Sequence, residues 1–302
     1  SKKYQLDQLM ISNRIGLIAP FLTHYRINFY DKLYLGCSEN LVCFFQNKIA
    51  DDGRPGLRVT GKEYYRTYSN ASFGLGSIKV SLSLDLIKKV RKEQIKLLII
   101  EGSSSNLTSW CFIILRKILK LKIIAWACGW QPDTHSGFIR RLKNHIERIF
   151  FNNVDHIISY SSKTKEYFQN LGIKAPITIA YNGIDTNIYV KSEGEVFRSA
   201  ALIKTGDAMI LFLYVGGLFR DKKVDLLLEA FKEISDNYTN VVLWIIGDGP
   251  ILNELKDLAR ELNLKNIEFL GRIEERVEAY FAAADYMVLP GVGGLALNQA
   301  ML

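Results

Sequence analysis

Short, largely apolar runs alternate along this chain with longer stretches whose apolar residues recur every three or four positions. Arg14–Phe21 (RIGLIAPF), Asn40–Gln46 (NLVCFFQ), Lys96–Gly102 (KLLIIEG), Leu121–Cys128 (LKIIAWAC), Val154–Ser161 (VDHIISYS) and Ile177–Asp185 (ITIAYNGID) are of the first kind. Asn28–Gly36, Leu84–Ile95, Trp110–Leu119, Ser136–Asn153 and Ser162–Ile173 are of the second. Continuous apolar runs suit strands buried on both faces, and the longer period suits helices with one face on a core. Their alternation predicts parallel sheets covered by helices, an α/β fold.

The rhythm stops over a polar passage, Val190–Asp207, and then restarts. Ala208–Gly217, Asn240–Pro250, Ile267–Ile273 and Asp285–Gly291 read as strands, with helices over Lys223–Asp236, Ile251–Asn263 and Arg276–Ala284 between them. The restart predicts two Rossmann-like domains in tandem, 1–190 and 191–302, a division that 302 residues readily supports. Ligands of such sheets bind outside the carboxyl ends of the strands, which here points to the cleft between the domains.

Composition changes this picture little: 48% hydrophobic and 23% charged residues are ordinary for a globular chain. Cys37, Cys43, Cys111 and Cys128 show no metal-ligand spacing and read as buried thiols of a reducing compartment. The first residues carry no long apolar segment before a cleavage site, so the expectation is a cytoplasmic protein without a metal site. Charge adds more. The net +8 is concentrated in the first half, where residues 85–150 hold thirteen Lys or Arg against five Asp or Glu. Nucleic acid, an anionic membrane and a phosphorylated small molecule all suit such a surface. No aromatic-plus-basic recognition motif accompanies it, which argues against nucleic acid. Trp110–Cys128 is the most apolar stretch, but Arg116, Lys117, Lys120 and Lys122 divide it into a helix and a strand.

The chemistry gathers at the strand ends of the second half. Gly216 and Gly217 follow one strand, with Arg220, Lys222 and Lys223 just before the next helix. Gly247, Asp248 and Gly249 follow the second, Gly271, Arg272 and Ile273 the third, and Gly291, Gly293 and Gly294 the fourth. Glycine lets backbone approach a ligand, and helix starts with nearby cations attract phosphate. Four such ends in series predict one phosphate-and-sugar rim.

Tyr181–Asp185 (YNGID), Tyr214–Phe231 (YVGGLFRDKKVDLLLEAF), Gly247–Ile273 and Ala282–Met301 resemble, in order and spacing, the signature blocks of the family 4 retaining glycosyltransferases of bacterial surface-polysaccharide type. The resemblance runs from about Arg140 to the end. It implies a GT-B fold and retaining transfer of a hexose or N-acetylhexosamine from a nucleotide-diphosphate sugar, a UDP-sugar foremost, with no metal. It also implies a glycan acceptor, lipid-linked or oligosaccharide, and a peripheral place on the cytoplasmic membrane face. The family's two Glu of the last strand end fall on Gly291 and Gln299, and Leu295 starts the helix between them. The Arg of its G-R-L turn falls on Gly217, with Arg220 as stand-in, and its phosphate-binding Lys falls on Lys222. Members continue past this point, so the second domain reads as truncated after residue 302.

Retaining transfer in this fold uses cations and amides to stabilise the departing diphosphate, the role assigned to Lys222 and Arg220. The first domain supplies acceptor candidates after its strands: Thr23, His24, Tyr25 and Arg26, then Gly102 and Ser103, then Trp130, Asp133 and His135. His135 is the candidate replacement for a His that the family carries where this chain has Cys128. The helix Phe138–Phe151 joins a basic face to large apolar residues, as a core helix or as a helix docked on an anionic leaflet. A non-catalytic nucleotide-sugar-binding protein and a nucleotide-sugar epimerase of the same fold remain the other readings.

Overall fold

The computed structural model describes residues 13–23, 26–47, 61–75, 78–127, 137–181, 183, 210–273 and 276–301. They fall into two compact units, one running to residue 182 and one beginning at 183. Residues 184–209, where the polar passage lies, are outside the described ones.

In the first unit a seven-stranded parallel sheet has the order β3-β2-β1-β6-β7-β8-β9. Its strands are β1 (Ile15–Ala19), β2 (Leu41–Gln46), β3 (Tyr65–Tyr68), β6 (Leu97–Glu101), β7 (Lys122–Ala127), β8 (His156–Ser159) and β9 (Ile177–Ile179). The helices are α1 (Ile27–Gly36), α2 (Leu84–Lys92), α3 (Leu107–Leu119), α4 (Gly137–Asn152) and α5 (Ser162–Asn170). Polar starts set three of them. Ser83 Oγ accepts from Leu86 N, Asn106 Oδ1 from Thr108 N, and Ser161 Oγ from Thr164 N. One face of the sheet buries Ile15, Leu17, Tyr30 and Phe45, and the other buries Phe44, Leu98, Phe112 and Phe150. Covering both faces is why β2 is apolar from Leu41 to Phe45.

Three strands appear where the hydrophobic pattern predicts none. The edge strand β3 pairs with β2, and β4 (Ala71–Leu75) with β5 (Ile78–Leu82) forms an antiparallel hairpin apart from the main sheet. An edge strand and a two-stranded ribbon need no continuous apolar run, so periodicity is silent there. The strand expected over Ile177–Asp185 is three residues long. The thiols differ in part as well: Cys37 and Cys43 are buried, Cys111 is half-buried, and Cys128 is not among the described residues.

The second unit holds β10 (Ile210–Val215), β11 (Val241–Ile246), β12 (Ile267–Gly271) and β13 (Tyr286–Met287), in the parallel order β12-β11-β10-β13. Its helices are α6 (Val224–Asn237), α7 (Leu252–Glu261), α8 (Val277–Ala283) and α9 (Leu295–Ala300). All six residues of β11 are buried, as expected for a strand inside the sheet with both faces covered. β13 is shorter than the predicted Asp285–Gly291. Val288 N still donates to Leu213 O at 2.9 Å, but Pro290 brings no N–H to continue the ladder.

Both sheets reverse strand order once. In the first the reversal lies between β1 and β6, and in the second between β10 and β13. Diverging connections open a crevice at the carboxyl ends of such strand pairs, so each unit has one position suited to a ligand.

Candidate functional site

At the β10/β13 reversal the loops leaving the two strands interlock. The 3₁₀ turn Arg220–Lys222 precedes α6, and Lys223 makes the corner in the left-handed region at φ 56°. Val292 N donates to Asp221 O at 3.3 Å, and Lys222 Nζ donates to Val292 O at 2.7 Å. Gly291 lies against the turn so closely that a Cβ there would sit 2.4 Å from Asp221 O. This position, where the resemblance places a Glu, has room for hydrogen only. Gly293 and Gly294 border open space instead, with Gly294 just before α9. Gln299, on α9, is partly buried and takes part in a polar interaction.

Gly247 and Gly249 owe their identity to packing between strand ends. A Cβ on Gly247, whose φ is 149°, would lie 1.8 Å from Gly216 O, and one on Gly249 would lie 2.3 Å from Leu218 O. Gly216 N donates to Ile246 O at 3.0 Å and Gly247 N to Gly271 O at 2.8 Å, so these two amides tie neighbouring strand ends together. The rim expected to present four glycine ends to a phosphate is therefore narrower: two of its amides point into the sheet. Asp248 is exposed, and its Oδ1 accepts from Gly249 N at 2.8 Å. Arg272 is exposed and Ile273 packs on the core beneath.

Arg220 and Lys222, assigned to one role, are separated by the fold. Arg220 Nη2 donates to Glu254 Oε2 of α7 at 2.8 Å, an exposed pair worth at most about 1 kcal/mol. Its charge is partly neutralised there, while Lys222 stays beside the Gly291–Gly294 loop.

The β1/β6 reversal of the first unit opens into two adjoining hollows, of about 240 and 360 Å³, that share Glu101, Trp126 and Tyr160. Pro20, Phe21, Thr23 and Arg26 wall the first, and Ser103, Ser105, Lys143 and Glu147 the second. The Arg26 guanidinium stands 5.3 Å from the Trp126 ring centroid and donates to Tyr160 Oη at 3.2 Å. Trp126 and Tyr160 lie 5.5 Å apart between centroids. Thr23 Oγ1 and Trp126 Nε1 are enclosed, with no hydrogen-bond partner among the described residues. Glu101 ends β6 with its side chain reaching solvent, yet the walls around its carboxyl crowd out water and push its pKa up.

Of the acceptor-side residues expected from sequence, the structure brings Thr23, Arg26, Gly102 and Ser103 to this crater. Gly102 is there for steric reasons, since a Cβ would meet that of Ala127 at 2.3 Å. His24, Tyr25, Trp130, Asp133 and His135 lie outside the described residues. Glu101, Trp126, Tyr160 and Lys143 were not foreseen. The available signal was position, since the first three lie within a residue of the carboxyl ends of β6, β7 and β8.

The family model described as Glycosyltransferase Family 4 matches residues 41–188, and that described as Glycosyl transferases group 1 matches residues 198–302. The chain carries two glycosyltransferase domains. It is 25% identical over 194 residues to an uncharacterised glycosyltransferase of Methanocaldococcus jannaschii, covering 61% of this chain and 47% of that protein. It is 27% identical over 151 residues to the alpha-monoglucosyldiacylglycerol synthase of Streptococcus pneumoniae, covering 48% of this chain and 34% of that one. The chain thus spans less than half the length of these relatives. Among solved structures, Anabaena HepE in complex with UDP and glucose superposes with a TM-score of 0.68 over 96% of this chain and 78% of that one, at 15% identity. The lipopolysaccharide glycosyltransferase WaaG superposes at 0.65, also at 15% identity. The glycosyltransferase fold shared with these structures is GT-B, and the two Rossmann-like units described above are its domains.

Proposed function

We propose that this glycosyltransferase moves a hexose or N-acetylhexosamine from a UDP-sugar to a glycan acceptor, lipid-linked in the cell, with retention of configuration and without a metal. The observation that carries the reading is the position of Lys222. It is a cation at the strand-order reversal of the group 1 domain, held by the loop that also presents Gly293 and Gly294 to open space. A diphosphate seated there gains an ammonium and backbone amides as its leaving-group charge develops. HepE was crystallised with UDP and glucose, which supports UDP as the nucleotide.

The crater of the family 4 domain suits the acceptor. The Trp126 and Tyr160 rings offer flat apolar surfaces to a sugar, Arg26 offers charge, and the Ser103 and Ser105 hydroxyls offer hydrogen bonds. The unpartnered Thr23 and Trp126 polar atoms cost about 1–3 kcal/mol each, and both residues wall the hollow that a hydroxyl-rich ligand would enter. A lipid-linked acceptor accords with a relative named alpha-monoglucosyldiacylglycerol synthase and another named lipopolysaccharide 1,2-N-acetylglucosaminetransferase, from Salmonella typhimurium. On this reading the protein works at the cytoplasmic face of a membrane.

One observation favours a second reading. Gly291 leaves no space for a carboxylate and Arg220 is engaged by Glu254, so a nucleotide-sugar-binding protein without transfer activity also accommodates the site. A thermal-shift panel of UDP, GDP, ADP and CMP, with and without chelator, tests both. Saturating UDP at a hundredfold excess over its Kd stabilises by about 2.7 kcal/mol, and the chelator leaves that shift unchanged. Lys222→Gln removes most of it. A UDP-glucose or UDP-N-acetylglucosamine shift with no product on any glycan acceptor supports the binding-only reading. Silence from all four nucleotides overturns both.

A further inference from the structure

A hollow of about 640 Å³ opens at the amino ends of β1, β6 and β7, the edge of the family 4 sheet opposite the crater. Its walls come from the segments that lead into those strands: Asn13 and Arg14 before β1, Gln94–Lys96 before β6, and Ile118–Leu121 before β7. Val90, Ile95 and Leu121, all buried, line it on the core side. The five residues of β6, at about 3.3 Å each, put roughly 15 Å between this hollow and Glu101 of the crater. The charged groups that line it are all cations: Arg14, Arg91, Lys96 and Lys120. Arg91, Lys96 and Lys120 are exposed and form no ion pair among the described residues. Arg14 Nη2 pairs with Glu93 Oε2 at 2.8 Å, but Arg66 Nε holds the other oxygen at 2.6 Å, so one carboxylate serves two guanidiniums. A second hollow, of about 520 Å³, shares Lys120 and Leu121 with the first and adds Arg116, Lys117 and Lys122. The acid beside it is divided in the same way: Asp155 Oδ1 lies 2.5 Å from Arg116 Nη2 and 3.6 Å from Lys122 Nζ.

Seven cations around two joined hollows, with no carboxylate lining either, is an unfavourable arrangement for the free protein. Like charges held close repel, and a bound anion removes that repulsion. A concave surface with apolar walls also focuses the potential of its charges, so the attraction is stronger here than over a flat basic patch. The first hollow has the size of a small-molecule site. Its backbone amides are engaged within the fold: Gln94 N donates to Arg91 O at 3.1 Å, Lys96 N to Arg14 O at 2.9 Å, and Leu121 N to Arg116 O at 2.8 Å. Recognition therefore falls to Lys and Arg side chains, which suit the charge and oxygens of phosphate. Those side chains enter from separate segments, and linked phosphates reach more of them than a single phosphate does. We propose that this hollow binds a free compound carrying linked phosphates, an anion of the pyrophosphate or triphosphate class. The site belongs to the family 4 domain and stands apart from the crater, so it does not rest on the transferase reading.

Isothermal titration calorimetry of the full chain with inorganic tripolyphosphate, pyrophosphate and sulfate, at about 0.15 M salt, tests the proposal. Tripolyphosphate should bind at least about tenfold more tightly than sulfate, with pyrophosphate between them. Lys96→Gln/Lys120→Gln should weaken tripolyphosphate binding at least about tenfold, and the single change Arg91→Gln should weaken it several-fold. All three side chains are exposed, so unfolding midpoints should match the parent's and report an intact fold. Lys163→Gln/Lys174→Gln removes the same charge outside both hollows and should leave the affinity within about twofold of the parent's. Equal affinity for sulfate and tripolyphosphate, no binding at all, or hollow variants that bind as the parent does would overturn the proposal. A control variant that loses as much as the hollow variants would also overturn it, by assigning the effect to net charge. So would a single-stranded oligonucleotide that binds more tightly than tripolyphosphate and is lost in the same variants, which would assign the cations to nucleic acid. The donor loop is separated by Lys222→Gln. This change should leave tripolyphosphate binding intact while removing most of the UDP shift, and the hollow variants should do the reverse. Tripolyphosphate binding that Lys222→Gln abolishes and the hollow variants keep would place the anion at the donor loop and overturn the proposal.

Discussion

Gly291 and Gly293 are two residues apart, and both belong to a glycine-rich loop, yet only one is constrained. A Cβ at 291 meets Asp221 O and the Lys222 backbone, whereas at 293 the nearest heavy atom, Leu289 Cδ1, is 4.0 Å away. Gly291→Ala should therefore push the loop off Lys222 and abolish the UDP shift. Gly293→Ala should leave the fold within about 0.5 kcal/mol of the parent in urea unfolding. Gly247→Ala combines a backbone clash with a φ of 149° and should cost about 2–4 kcal/mol in the same measurement. Glu101 makes a prediction in pH. Crowding raises its carboxyl above the ordinary 4.5, so the folded state binds this proton more tightly than the unfolded state does. Ionisation then works against the fold, and the deficit grows as pH rises from below 4.5 through the raised value. Glu101→Gln cannot ionise. Its unfolding midpoint should match the parent's in acid and exceed it at neutral pH; a constant difference would contradict the assignment.

At the scale of elements, the strand-end turns tie the group 1 sheet together. The turn after β10 meets the loop after β11 through Leu218 N to Asp248 O at 3.0 Å, and meets the loop after β13 through Val292. Arg220 belongs to this region by sequence but reaches to α7 instead. Arg220→Ala should change stability by less than about 1 kcal/mol, because its partner pair is exposed. Lys222→Gln, two residues along the same turn, should act chiefly on nucleotide binding. A calorimetric titration with UDP that ranks Arg220→Ala as the more damaging would reverse these roles. In the other domain, the hydrogen bond between Arg26 and Tyr160 joins residues 134 positions apart, and the ring of Trp126 lies against both. Arg26→Ala should therefore loosen the crater wall and raise acceptor KM, while the UDP shift, which arises in the other domain, stays at its parent value.

For the molecule as a whole, each domain contributes one reversal of strand order and one set of groups beside it. The donor groups proposed here all lie between Gly216 and Gln299, and the crater groups all lie between Pro20 and Tyr160. Hydrogen exchange should show this division. UDP should slow exchange at residues 216–223 and 289–294 and leave the segment from Arg26 to Gly36 unaffected. Protection confined to the family 4 domain would relocate the nucleotide. The basic excess also resolves at this scale. Lys117, Lys120, Arg140, Arg141 and Arg148 stand exposed on or beside α3 and α4, the two helices that carry exposed isoleucines, which gives part of the net charge a direction.

The sequence by itself determined the order of the elements outside β3–β5, the two parallel sheets and the presence of two units. These follow from the period of apolar residues, and burial on one face or two imposes that period locally. The Ser and Asn starts of α2, α3 and α5 are equally local, since a cap acts within three residues. It also showed Lys222 and the glycine-bearing strand ends, because they occupy short segments of recognisable spacing. Only the tertiary structure decided what those glycines do. Whether a Cβ fits at 247 or 291 depends on a backbone from another strand end, and no local pattern encodes that distance. The same holds for the crater. Arg26, Glu101, Trp126 and Tyr160 come from four separate segments, and strand order alone sets them side by side. The β4–β5 hairpin escaped notice because its pairing, rather than burial on two faces, makes it a ribbon. Periodicity reports which side of an element is apolar; what that side meets is a property of the assembled chain.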